Sequence, residues 1–203
     1  MNHAPLLEGD LEKNPFAQFG RWFDDAKKQQ PQLPEAMTVS TCGSDGVVSS
    51  RVVLLKGFDE RGFVFFTNYN SRKGSQISDN PRVALNFFWP SLDRQVRIEG
   101  AAVKTTAEEA DAYFATRPRG SQLGAWASNQ STVIPDRGDL ELRFHDMETN
   151  YRDRPVPRPP HWGGFRVIPV EVEFWQGRDD RMHDRFAYRL REPKDWIIER
   201  LSP

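Results

Sequence analysis

AMTVSTCGSDGVVSSRVVLLKGFDERGFVFFTN, residues 36–68, decides the fold class. Its β-branched and aromatic residues come in runs of strand length, AMTVSTC, VVSSRVVLLKGF and FVFFTN. Such residues suit a pleated, half-buried surface. A Ser-Asp-Gly turn separates the first two runs, with Asp45-Gly46 as the hairpin signal, and DERG separates the second from the third. Outward from this stretch the pattern repeats. RVALNFFW and RQVRIEGAAVK read as two more strands divided by a Pro-Ser turn, followed later by FRVIPVEVEFWQG, RMHDRFAYRL and the terminal WIIERL. NPFAQFGRWFDDAKKQQ predicts a helix with Asn14 as N-cap and Pro15 at the first helical position, its stripe being Phe16, Phe19, Trp22 and Phe23. TAEEADAYFATR, acidic in its first turn and ending in Arg, and GDLELRFHDMETNY predict two further helices. RPVPRPPHWGG is too proline-rich for helix or central strand and reads as a connector. The expectation is a mainly β protein, antiparallel strands closing into a barrel with peripheral α-helices. Residues 1–14 read as a flexible arm and 15–203 as a single domain.

Composition narrows the function classes. The chain has 203 residues, and six Trp with fourteen Phe supply a substantial core despite a low apolar fraction of 37%. Lys plus Arg, 28, nearly cancels Asp plus Glu, 29, so no global field draws in nucleic acid or a membrane. The single cysteine, Cys42, excludes a disulfide framework and a multi-cysteine metal site, and reads as a buried structural thiol. His3, His145, His161 and His183 lack metal-ligand spacing, so no metal is expected. Glycine-rich nucleotide motifs and a G-x-S-x-G nucleophile turn are absent. With no basic start leading into an apolar run and no span-length apolar segment, a soluble, cytoplasmic protein is the default.

Local basic clusters carry the remaining signal. SRVVLLK sets Arg51 and Lys56 five apart, on opposite faces of a regular strand. They either cap the strand ends in solvent or serve two different anions. In SRKGSQIS, Ser71 caps a helix whose first turn holds Arg72 and Lys73, a natural phosphate cradle. YFATRPRGSQ places Tyr113 and Arg117 one helical turn apart, with Ser121 just beyond. Gln95, Gln130 and Ser131 add neutral donors, and Trp175 an aromatic face. FWQGRDDRMHDRFAYR, residues 174–189, read as a strand, sets Arg181, His183 and Arg185 on one face, where they repel unless an anion sits among them. Cations in separated twos and threes, rather than one stripe, suit two phosphorylated small molecules better than a nucleic acid.

The same segments carry a family resemblance. SRVVLLK, FFTN, SRKGSQI, NPRVAL, RQVRIEG, YFATRPRGSQLGAW, NQS, HWGGFRV, EFWQGR and RMHDRF, in this order between Asn14 and Pro203, resemble the pyridoxine/pyridoxamine 5'-phosphate oxidase family. The resemblance implies an FMN-binding split β-barrel, antiparallel and Greek-key-like, forming a cytoplasmic homodimer with each flavin between subunits. It implies oxidation of pyridoxamine or pyridoxine 5'-phosphate to pyridoxal 5'-phosphate, with dioxygen as acceptor and peroxide as product. By position, Arg51, Val52, Val53, Leu54, Phe66, Thr67, Arg72, Lys73, Gln95, Gln130, Ser131, Trp175 and Arg185 would hold FMN. Lys56, Tyr113, Arg117 and Ser121 would hold the substrate phosphate, and Arg181 and His183 would face the pyridine ring as the catalytic pair. One departure is plain: family members often carry an Arg and a Tyr in the N-terminal arm, whereas here the first Arg is Arg21 and the first Tyr is Tyr69. Rival readings are a related flavin oxidase on another compound, as in phenazine pathways, and a flavin- or pyridoxal phosphate-binding protein with little turnover.

Overall fold

A computed structural model describes residues 4–192 and 195–203, so that His3 lies outside the described residues. The chain begins with α1 (Pro15–Gln29), whose Asn14 side chain accepts the Phe16 N–H and whose Pro15 sits where no N–H is needed. Strands β1 (Ala36–Cys42) and β2 (Val48–Leu54) form a hairpin around Gly46, which takes a left-handed φ of 77°. The expected second strand does not run on. It breaks at Leu55-Lys56, and the chain resumes as the short β3 (Gly57–Asp59), which pairs with β4 (Gly62–Asn68).

That break shapes the barrel. Hydrogen-bonded neighbours run β2-β1-β5-β6-β7-β4-β3, using β5 (Arg82–Trp89), β6 (Arg94–Lys104) and β7 (Trp162–Gln176). β2 and β3 therefore stand at opposite ends of the path, and among the described residues no ladder joins them. The chain itself crosses the gap through Leu55-Lys56, where the Lys56 N–H donates to the Val64 carbonyl (2.8 Å). The antiparallel sheet is curled but split, where the turn pattern alone predicted closure.

β7 is the long member. Along one edge it pairs with β6, a register shift at Glu99/Gly100 marking a bulge beside Pro169. Along the other edge, Trp162–Val167 pairs with β4, and Glu171–Gln176 pairs with β8 (Asp184–Glu192), which in turn pairs with β9 (Asp195–Arg200). The segment Trp162-Gly163-Gly164, expected as connector, is thus the start of β7; its backbone is paired even though its glycines have no side chains to signal it.

Inside the curl lie Met37 and Val39 of β1, Leu85 and Phe87 of β5, Val96 and Ile98 of β6, and Val172 and Phe174 of β7. α1 packs its stripe into this interior, with Phe19 against Phe63 (5.0 Å between ring centroids) and Phe87 (5.0 Å), and Trp22 against Phe174 (5.2 Å). The remaining helices are α2 (Arg72–Asp79), α3 (Ala107–Ala115), α4 (Arg119–Ala127) and α5 (Arg137–Asn150). α4 carries little sequence signal: it follows Pro118, and Gly120 and Gly124 mask its periodicity. Among the described residues no helix is long and apolar enough to cross a membrane.

Candidate functional site

A cleft of about 870 Å³ opens between the β2–β3 bend, β4 and helices α2, α3 and α4. Four cations line it, Arg51, Lys56, Lys73 and Arg117, and none of its lining residues is Asp or Glu. The break after Leu54 is what lets Arg51 and Lys56 share this cleft; the expectation of opposite faces assumed a regular strand.

One end of the cleft is built on α2. Ser71 caps the helix, and Lys73, only 8% exposed, donates to Thr67 Oγ1 (2.9 Å), Gln130 Oε1 (3.0 Å) and Ser71 Oγ (3.3 Å). All three acceptors are neutral. Burial, and then the nearby Arg51 guanidinium, bring the Lys73 pKa down to about 8. Arg51 is likewise held by neutral oxygens of Val39, Thr41 and Ser49, and burial followed by repulsion from Arg72 lowers its pKa. Ser131, at a left-handed φ of 73°, accepts the Arg72 N–H through Oγ (3.2 Å), which brings Gln130 and Ser131 to the α2 N-terminus.

The other end is built on aromatic rings. Phe66, Tyr113 and Trp162 stack nearly parallel, with centroids 4.1 Å apart for Phe66–Tyr113 and 5.4 Å for Phe66–Trp162. The Arg117 guanidinium lies over Trp162 (4.6 Å) and Phe114 (5.5 Å). Its Nη1 is buried without a hydrogen-bond partner, and burial lowers its pKa. α3 ends at Ala115, so Arg117 is not one helical turn beyond Tyr113 on a continuous helix; it sits in the link to α4, and Ser121 stands in the first turn of α4. Both ends of the cleft thus combine a helix N-terminus with uncompensated positive charge, an arrangement suited to two phosphate-type anions.

Twelve of the sequence-predicted residues meet here: Arg51, Val52, Val53, Leu54, Lys56, Phe66, Thr67, Lys73, Tyr113, Arg117, Ser121 and Gln130. Arg72 and Ser131 stand together at the α2 N-terminus. Gln95, Trp175 and Arg185 do not line the cleft. They form a row of Cα partners across β6, β7 and β8, with the His183 ring 4.7 Å from Trp175. Trp162 and Trp175 lie near opposite ends of β7, roughly 40 Å apart along the chain at about 3.3 Å per residue. The expected run of Arg181, His183 and Arg185 on one strand face is also corrected. Asp179–Arg181 is a tight 3-10 turn with Asp180 and Arg181 at positive φ, and β8 begins only at Asp184. Arg185 alone is on the strand, where it donates to Glu173 Oε1 (2.8 Å) and the Ser202 carbonyl (2.8 Å). The lining residues missed from sequence include Asn68, Thr116, Ser128 and Trp162; a tryptophan directly before two glycines was the available signal for the last.

A split antiparallel barrel with a multiply cationic cleft defines a protein built to bind small phosphorylated ligands. Residues 23–151 match the family profile described as pyridoxamine 5'-phosphate oxidase, and residues 162–203 match the pyridoxine 5'-phosphate oxidase C-terminal dimerisation region. The chain belongs to the pyridoxamine 5'-phosphate oxidase family of oxidoreductases. It is 56% identical to the pyridoxine/pyridoxamine 5'-phosphate oxidase of Rubrobacter xylanophilus, covering 98% of this chain and 92% of that protein. Its identity to the enzyme of the same name from Burkholderia multivorans is 55%, over 100% of this chain and 95% of that protein. Among solved structures, PhzG from Burkholderia lata, in complex with tetrahydrophenazine-1-carboxylic acid, is 31% identical with a TM-score of 0.90, covering 98% of each chain. A pyridoxamine 5'-phosphate oxidase-related, FMN-binding protein from Nostoc punctiforme shares the fold, with a TM-score of 0.75 at 17% identity, covering 95% of this chain and 100% of that one. The C-terminal match points to a homodimer.

Proposed function

We propose that this protein oxidises pyridoxamine and pyridoxine 5'-phosphates to pyridoxal 5'-phosphate, using FMN and dioxygen and releasing peroxide. The observation that carries the proposal is a cleft with four cations and no lining carboxylate, its Arg117 Nη1 buried without a partner. Burying unpaired positive charge is costly, so such a site fits ligands that bring their own negative charge. The FMN phosphate is assigned to Arg51, Lys73, Thr67, Gln130 and the α2 N-terminus with Arg72 and Ser131, and the flavin ring to the Val52–Leu54 backbone and Phe66. The substrate phosphate is assigned to Lys56, Tyr113, Arg117 and Ser121.

When bound, the flavin supplies a two-electron acceptor for the hydride of substrate C4'. The protein's part is positional: Arg117, fixed against Trp162, orients the substrate through its phosphate, and the two cationic ends hold both ligands in register. Gln95, Trp175 and Arg185, with Arg181 and His183, complete the site of the partner subunit, since β7 holds them far from the cleft of their own chain. One flavin thereby lies between two copies.

A second reading, a related flavin oxidase acting on an unphosphorylated ring compound, draws on the PhzG likeness. A ligand of that kind brings a single carboxylate charge, whereas Lys56 and Arg117 together offer the two cations that a dianionic phosphate monoester would satisfy. The test is oxygen-dependent formation of pyridoxal 5'-phosphate and peroxide from pyridoxamine 5'-phosphate by purified protein supplied with FMN. Multiple turnovers are expected. Flavin uptake without this turnover would favour the second reading or a binding protein, and failure to take up FMN would overturn the assignment.

A further inference from the structure

The turn that carries Arg181 and His183 is strained. Asp180 (φ 54°) and Arg181 (φ 60°) are consecutive left-handed residues, neither of them glycine. Such backbone persists only where the surroundings over-determine it. The surroundings here converge on Asp184, the first residue of β8, which is 8% exposed. Its Oδ2 accepts the Leu6 N–H (3.0 Å), and its Oδ1 accepts from Arg200 Nη1 (2.8 Å). The same guanidinium donates to the Leu6 carbonyl (2.9 Å) and to Glu8 Oε1 (2.7 Å). One arginine of β9 therefore ties the N-terminal segment to the exit of the strained turn. At the turn's entry, the Arg178 N–H donates to His183 Nδ1 (3.1 Å), and Arg178 Nε lies 3.8 Å from Asp184 Oδ2.

We propose that Asp184 is a positioning residue for the Arg181–His183 turn, and that Leu6–Glu8, acting through Arg200, is the brace that holds Asp184 in place. Arg178, whose Nε lies beside Asp184, also sets the chemistry His183 offers. With Nδ1 accepting from a backbone N–H, the neutral ring carries its proton on Nε2 and presents a donor there. A proton on Nδ1 would set two N–H groups against each other. His183 thus orients the substrate by donating a hydrogen bond rather than by taking a proton. The N-terminal segment lacks the Arg and Tyr that often cover the substrate in this family; in this chain it serves from behind, holding the turn. This inference rests on the proposed placing of Arg181 and His183 at the substrate.

The test uses full-length, FMN-loaded Asp184→Asn and Glu8→Ala, the second altering an exposed side chain. Asp184→Asn is expected to lower kcat on the order of 10- to 100-fold, as misplacement of a positioned group does, with KM and flavin content near those of the unaltered protein. Glu8→Ala shifts kcat in the same direction by less. The imidazole nitrogen NMR signals of His183 are expected to show the Nε2–H form in the unaltered protein and a mixture of forms in Asp184→Asn. An Nδ1–H form in the unaltered protein overturns the proposal, as do variants that leave both kcat and the His183 signals unchanged. If Asp184→Asn does not fold, Glu8→Ala decides. If the unaltered protein does not oxidise pyridoxamine 5'-phosphate, the proposed function fails on its own, while the His183 signals still report the brace.

Discussion

Replacing Lys73 with methionine keeps the length of a nearly buried side chain and removes its charge. The ammonium is surrounded by Thr67, Ser71 and Gln130 oxygens, with no carboxylate among the lining residues and Arg51 close enough to repel it. Its pKa falls from 10.5 to about 8. At about 1.4 kcal/mol per unit, the charge costs the ligand-free fold on the order of 2–3 kcal/mol at neutral pH, with screening at the cleft mouth lowering the figure. Below pH 8 both folded and unfolded chains hold the proton, and the cost is complete. Between about pH 8 and 10.5 the unfolded chain holds a proton that the folded one has released, so stability rises with pH. Urea unfolding of the FMN-free protein and of Lys73→Met, at pH 7 and pH 10.5, isolates this contribution, because other titrating groups are common to both. The unaltered protein is expected to gain about 2–3 kcal/mol on the variant across that range. FMN titration followed by flavin fluorescence should show the opposite preference, with affinity for the variant lower by about 10- to 100-fold through loss of a charge-assisted contact. A stability difference that does not change with pH would refute the buried-cation argument. Unchanged flavin affinity would remove Lys73 from the phosphate site.

Three further substitutions probe the cleft walls and the helix α2 beside them. Arg117→Ala should raise the KM for pyridoxamine 5'-phosphate by an amount equivalent to about 1.5–3 kcal/mol, and Trp162→Leu should do so more weakly by letting the guanidinium leave its ring; steady-state kinetics with unchanged KM for Arg117→Ala would place the substrate elsewhere. Gly74→Ala should displace α2, since an added Cβ would stand 2.1 Å from the Tyr69 carbonyl oxygen. Loss of flavin together with a thermal destabilisation of about 1–3 kcal/mol is expected, and a variant that binds FMN normally would show that α2 has slack the structure does not indicate.

The strands were legible because alternation survives wherever one face of the sheet is buried, as in Met37, Val39 and Thr41 of β1. Asn14-Pro15 and Ser71 announced their helices through capping chemistry that is local in sequence. What could not be read was decided by distant partners. Leu55-Lys56 looks like more strand, and only the packing of β4 turns the chain there. The Asp179–Arg181 turn uses residues that disfavour its backbone, and it is held by a segment more than a hundred positions away in the chain, at Leu6 and Glu8. The cations were visible one by one, but their gathering into a cleft without carboxylates depends on which residues are absent, and linear sequence does not display absence. Trp162 was hidden by the proline-rich run before it, RPVPRPP, which reads as connector rather than as the approach to a strand.

β7 reaches from the stacked rings at Trp162 to the row at Trp175, pairing with β4 over one half and β8 over the other. In the proposed dimer, the working unit is therefore half of one copy joined to half of another. A copy spoiled at Arg117 and a copy spoiled at Arg181 are each impaired when paired with themselves, yet a mixed pair contains one site assembled from two sound halves. Whether two damaged versions of this protein can rescue one another is then settled by which end of a single strand each lesion falls beside.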